Sequence, residues 1–182
     1  MIVAWVFPGQ GSQKIGMANK IINLPKAKDR FNYASEVFGR NLFDICEKNS
    51  DIKNSSEDLN NTNNTQICLF LVESILSDSL KENGFKPNYI AGHSLGEITA
   101  LYCAGVLSFE DSVLLIKERS QLMSNAAKGS MAALIGFDRK NLELLVEQSD
   151  ELVIANDNSD FQVVLSGSEK ALDNISSRIT CK

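Results

Sequence analysis

The sequence predicts an α/β protein in two parts: a large domain built around a nucleophile elbow, and a smaller, incomplete ferredoxin-like βαββα unit. Three observations carry this expectation. The apolar run Tyr89-Ile90-Ala91 passes through Gly92-His93-Ser94-Leu95-Gly96-Glu97 into the helical stretch Ile98 to Ala104, an order of strand, sharp turn and helix with Ser94 at the tip. A first apolar strand, Ile2 to Phe7, runs into the glycine-rich segment Pro8-Gly9-Gln10-Gly11-Ser12-Gln13. After Gly129 short strands and helices follow in the order β-α-β-β-α. The expected division is residues 1–128 and 129–182.

Between the first strand and the elbow, Ala27, Phe31, Ala34, Val37, Phe38, Leu42 and Ile45 recur at helical spacing and are interrupted near Gly39, which predicts two surface helices. Residues 49–64 are rich in Asn and Ser and predict a loop. Gln66 to Glu82 is apolar on nearly every side and predicts a helix inside the protein, under the sheet and beside the elbow. Ser108-Phe109-Glu110-Asp111 is a capping-box start for a helix running to about Ala127. Its expected buried stripe is Leu115, Ile116, Leu122, Met123 and Ala126, with Arg119 in the middle. In the second part, strands are expected at Met131 to Phe137, Leu152 to Ala155 and Phe161 to Leu165, with Asn156 to Asp160 as a turn. Helices are expected from Asp138 and from Ser168, the last burying Ala171, Leu172, Ile175 and Ile179.

Composition narrows the function classes. With 43% hydrophobic and 23% charged residues, the 182-residue chain can bury a sizeable core and is not a disordered segment. A net charge of −5 with no long basic run gives no footprint for nucleic acid. Fully apolar stretches are too short to span a bilayer, so no membrane partner is expected. The apolar start lacks a basic region before it and breaks at Pro8-Gly9, so it reads as a strand rather than a signal peptide. The cysteines at 46, 68, 103 and 181 have no Cys-x-x-Cys spacing, and His93 is the only histidine. That argues against a metal site and for thiols kept reduced, with Cys68 and Cys103 as small core residues. A cytoplasmic protein is expected.

The chemistry centres on Ser94. Flanking glycines remove side chains that would crowd a tight bend, and the first amides of the following helix point at whatever oxygen the serine attacks. The competing reading is structural, with Ser94 and Glu97 as a helix capping box. The Gly9–Gly11 turn fits neither phosphate-loop pattern: position 14 is lysine, and Met17-Ala18 follows Gly16. It remains either a plain tight turn or a loop whose amides can approach a ligand closely. An arginine on a buried face needs an anion, supplied by an internal carboxylate or by a substrate gripped bidentately. A serine nucleophile also needs a base. His93 is adjacent to Ser94 at a strand end, where neighbouring side chains diverge, and is set aside.

Four separated stretches, Phe7-Pro8-Gly9-Gln10-Gly11-Ser12-Gln13, Thr65-Gln66, Gly92 to Glu97, and Glu118-Arg119-Ser120-Gln121-Leu122-Met123, together resemble the malonyl-CoA:acyl carrier protein transacylase family. The segment Asn156 to Gly167 also looks like that family's small-domain strand pair. The resemblance implies a hydrolase-like large domain in which Ser94 is the catalytic nucleophile and Arg119 binds the malonyl carboxylate. It implies that the backbone amides of Gln10 and Leu95 form the oxyanion hole. Malonyl-CoA would be a substrate rather than a cofactor, acyl carrier protein the partner, and fatty-acid synthesis the pathway. Family members continue past position 182 to a catalytic histidine and a further glutamine. The chain is therefore expected to be an N-terminal portion with little or no turnover of its own. An α/β serine hydrolase and a non-catalytic carrier-protein-binding fragment are the alternatives.

Overall fold

The computed structural model describes residues 2–48, 56–126 and 129–179. Cys181, residues 49–55 of the expected loop, and the expected end of the Arg119 helix at Ala127 lie outside the described residues. The chain divides into two compact units, Met1–Asn125 and Ala126–Lys182.

In the first unit, strand β1 (Ala4–Phe7) pairs in parallel with β2 (Tyr89–Gly92), Phe7 opposite Gly92. Helix α1 (Ala27–Phe38) ends at Gly39, which adopts φ 68°. Helix α2 (Leu42–Glu47) is capped by the Asn41 side chain, which accepts from the Asp44 amide. Helix α3 (Thr62–Glu82) begins four residues earlier than the apolar run suggests. Asn61 caps it by accepting from the Asn63 amide. Its enclosed part is mixed: Ile67 to Leu71 and Ile75 are buried together with Asn64, Thr65, Gln66, Glu73, Ser74 and Ser77, whereas Leu76 and Leu80 are exposed. Its main packing partners are helices rather than the sheet: α4 (Leu95–Cys103), which leaves the elbow, and α5 (Phe109–Ser124). Phe70, Leu71, Ile98, Val113 and Ile116 belong to the core these helices share.

The expected stripe on α5 is corrected. The buried face is Ser112, Val113, Ile116 and Ser120, while Leu115, Leu122, Met123 and Ala126 are exposed and Arg119 lies half-buried at the flank. The reason is close packing. Ser112 and Ser120 donate their hydroxyls to carbonyls of their own chain, those of Ser108 and Lys117, so small, internally satisfied side chains can occupy the buried face. A periodicity search weights large apolar residues and so selects the wrong face.

The second unit is a three-stranded antiparallel sheet in the order β3-β5-β4, built from β3 (Ser130–Ile135), β4 (Leu152–Ser159) and β5 (Gln162–Gly167). Helices α6 (Arg139–Glu147) and α7 (Glu169–Arg178) contribute Leu142, Leu145, Leu172 and Ile175 to its core. Asn156 to Ser159 is strand, not turn; the reversal is confined to Asp160-Phe161. Two register shifts let this polar segment pair with β5 while its side chains stay largely exposed, and Arg139 grips Asp157 with both terminal nitrogens. That pair holds the Asp157 carboxyl below its ordinary range.

Candidate active site

The elbow is formed by interlocked backbones. A β-carbon built on Gly92 would lie 2.0 Å from the Gly96 carbonyl oxygen, and one on Gly96 would lie 2.1 Å from that of Phe7. Strand β2, helix α4 and the end of β1 can approach this closely only without side chains at those points. Ser94 sits in the bend at φ 55°, a left-handed conformation that costs a non-glycine residue about 1–3 kcal/mol. It precedes the first residue of α4, yet its side chain makes no capping hydrogen bond. The capping-box reading of Ser94 and Glu97 is therefore excluded in this conformation.

The Ser94 hydroxyl instead meets Arg119. Arg119 Nη2 donates to Ser94 Oγ over 3.0 Å, and Arg119 Nη1 donates to Gln66 Oε1 over 2.5 Å. Gln66 is fully enclosed, and its Nε2 donates to the Met123 sulfur over 3.3 Å. Among the described residues no carboxylate pairs with Arg119, so the internal ion pair weighed for it is not formed. Arg30 shows the contrast: it is paired with Asp78 at 2.5 Å. Gln66 falls in a stretch that carries the family resemblance, but its link to Arg119 was not foreseen. Its signal was a long polar side chain at the start of an otherwise apolar run.

The Gly9–Gly11 loop lies against the same serine. A β-carbon on Gly9 would come within 2.6 Å of the His93 carbonyl oxygen and 3.4 Å of Ser94 Cβ. Gly9 to Ser12 forms a turn closed by the Ser12 amide on the Gly9 carbonyl, with Gly11 at φ 109° where only glycine is unstrained. Side chains anchor the loop to the start of α3 and the residues just before it: Gln10 Nε2 donates to Thr62 Oγ1, and Gln13 Nε2 to Asn60 Oδ1. The Asn-rich stretch thus supports the loop through at least two contacts. At the start of α4, the Gly96 and Glu97 amides are satisfied by the His93 and Ser94 carbonyls. Leu95, as the first helical residue, has no intrahelical acceptor for its amide. Leu95 directly follows Ser94, and Gln10 directly follows Gly9, the loop residue that approaches Ser94 Cβ. Among the described residues, Arg119 is the sole hydrogen-bond partner of Ser94 Oγ, and no group of three or more His, Cys, Asp or Glu side chains could hold a metal ion. No helix among them is long and apolar enough to cross a membrane.

The site thus brings together a serine at a tight bend and a guanidinium that no carboxylate among the described residues neutralises. The malonyl CoA-acyl carrier protein transacylase of Synechocystis sp. is 42% identical over 182 residues, all of this chain and 60% of that protein. Its crystal structure superposes with a TM-score of 0.92. The transacylase of Bacillus subtilis is 35% identical over 179 residues, 94% of this chain and 55% of that protein. A malonyl-transacylase solved in complex with a type II PKS acyl-carrier protein is 32% identical with a TM-score of 0.85, covering 97% of this chain and 58% of that one. The chain spans 55–60% of the length of these relatives. The family model for the acyl transferase domain matches residues 4–182, and the chain belongs to that family.

Proposed function

We propose that this chain carries the acyl-accepting half of a malonyl-CoA:acyl carrier protein transacylase. The observation that carries the reading is the guanidinium of Arg119, held against Ser94 by neutral partners only. A charged group kept without a counter-ion beside a nucleophile is matched to an anionic substrate. In the first half-reaction Ser94 Oγ attacks the thioester carbonyl of malonyl-CoA. The C–S bond breaks, coenzyme A leaves as the thiol with the serine proton, and a malonyl ester remains on Ser94. The Gln10 and Leu95 amides hold the oxyanion of the tetrahedral intermediate, and Arg119 holds the distal carboxylate. In the second, the phosphopantetheine thiol of acyl carrier protein attacks that ester and regenerates the serine. The reaction uses no cofactor. The first unit serves as the hydrolase-like domain, and the second as a ferredoxin-like unit short of one strand.

Proton removal from Ser94 needs a base, and His93, the only histidine in the sequence, makes no hydrogen bond to Ser94 among the described residues. Acylation by this chain is therefore slow and turnover low. Intact-mass analysis after incubation with malonyl-CoA tests the reading: a malonyl adduct should map to Ser94 and be absent from Ser94→Ala. Its absence from the wild-type chain after prolonged exposure counts against acyl transfer. Ordinary multiple-turnover transfer to holo-acyl carrier protein, abolished by Ser94→Ala, would show that the chain needs no further base.

A further inference from the structure

Glu73 is a buried acid that the proposed chemistry does not use. It is 8% exposed, in the middle of α3, and its Oε2 accepts a 2.6 Å hydrogen bond from the hydroxyl of Thr99, which is fully enclosed on the elbow helix α4. The second oxygen, Oε1, is buried with no partner. A buried carboxyl left half-satisfied is a poor device for stability, because an apolar side chain of similar volume would avoid its desolvation.

Its place in the fold gives another reason for it. Glu73 lies seven residues, two helical turns, beyond Gln66, so the two side chains leave the same face of α3 about 10 Å apart. Gln66 holds Arg119 on α5, and Glu73 holds Thr99 on α4, five residues beyond Ser94. Both halves of the site are thus tied by a polar bond to one rigid helix.

We propose that Glu73 is a positioning residue: through Thr99 it fixes the elbow helix on α3 and thereby sets Ser94 in register with the Gln66-held guanidinium of Arg119. The inference rests on Ser94 being the nucleophile. A hydrogen bond between two enclosed side chains defines one docking position for α4, whereas apolar packing alone allows it to slide by fractions of an ångström. A misplacement of that order is costly to a reacting serine.

The test is the rate at which a fluorophosphonate labels Ser94 in the 182-residue chain, with Ser94→Ala as background. Glu73→Leu and Thr99→Val should each slow labelling by about tenfold or more. Glu73→Gln, which keeps an acceptor for Thr99, should restore it. The double variant should be no slower than either single one. Unfolding midpoints measured in parallel separate positioning from stability, since Glu73→Leu should slow labelling without lowering the midpoint. Wild-type labelling in a folded Glu73→Leu or Thr99→Val chain overturns the proposal, as does slowing that merely tracks lost stability. If wild-type Ser94 labels no faster than background, the nucleophile reading fails instead. The backbone amide resonances of Ser94 and Leu95 then decide: they should shift in Thr99→Val and return in Glu73→Gln, and unchanged resonances overturn the proposal.

Discussion

Arg119 donates to Ser94 Oγ over 3.0 Å while its other terminal nitrogen is held by Gln66. One edge of a planar cation is therefore fixed by the protein and the other points at the Ser94 hydroxyl. Under the proposed function, the distal carboxylate of an acyl group on Ser94 would replace the hydroxyl as the acceptor. Arg119→Ala should lower Ser94 acylation by malonyl-CoA by about a hundredfold, the worth of a charge-assisted bidentate pair, and leave acylation by acetyl-CoA unchanged or faster. Arg119→Lys should recover little, because an ammonium cannot bond Gln66 and a carboxylate in the same fork. Initial acylation rates with the two thioesters, read by intact mass, check this; an equal loss with both would remove Arg119 as the selectivity device.

Gln66 should matter through charge as well as position. As a neutral acceptor it orients Arg119 without neutralising it. Gln66→Glu puts a carboxylate 2.5 Å from Nη1 in place of the amide, forms the internal ion pair that the native site lacks, and competes with the substrate. Protection of Ser94 by malonate against a serine-directed reagent should weaken more than about tenfold, although the protein is as stable or more so. Gln66→Leu should instead lose about 1–3 kcal/mol, by leaving Arg119 half-held. Malonate titrations alongside urea unfolding distinguish the two.

The elbow and the order of elements were legible because they are written in punctuation. Gly92 and Gly96 mark the crossing of strand and helix, and Ser108 and Asp138 cap the helices they precede. The buried face of α5 was not legible. Hydrophobic periodicity measures side-chain size and greasiness, and that face sets Ser112 and Ser120 beside Val113 and Ile116. The polar supports of the site, Gln66 and Glu73 on α3, were hidden for the same reason. Each is a polar residue inside an apolar run, and only the neighbouring helices show what it bonds. Asn156 to Ser159 misled in the opposite sense: its composition is that of a turn, but pairing with β5 overrides local preference.

Gly96 in the elbow and Gly11 in the first loop should respond differently to the same substitution. Gly96→Ala drives a β-carbon to 2.1 Å from the Phe7 carbonyl oxygen, backbone against backbone, where nothing can yield cheaply. The expected loss is more than about 3 kcal/mol, with Ser94 displaced. At Gly11 no atom lies within 4 Å of the added carbon, and the strain is only that of φ 109°. Gly11→Ala should cost about 1–2 kcal/mol and act mainly by distorting the Gln10 amide. Urea unfolding of both variants, with Ser94 labelling, tests the distinction; equal destabilisation would contradict the tight crossing.

Glu73 makes stability depend on pH in a direction opposite to most carboxylates. Burial raises its pKa from 4.5 to about 7, and the hydrogen bond from Thr99 offsets this only in part. The folded chain therefore holds this proton more tightly than the unfolded one. Where the native state binds more protons, stability falls as pH rises. The stabilisation is complete below the unfolded pKa, is lost progressively from about pH 4.5 to 7, and is absent above that, a change of about 3 kcal/mol. Glu73→Gln cannot ionise, so its stability should lack this component. Relative to wild type it should gain about 2–3 kcal/mol between pH 5 and pH 8, with the wild-type slope steepest between the two pKa values. Urea unfolding of both proteins at those two pH values measures the difference directly. A wild-type-minus-variant difference that is the same at pH 5 and pH 8 would show that Glu73 does not bind its proton more tightly in the folded chain.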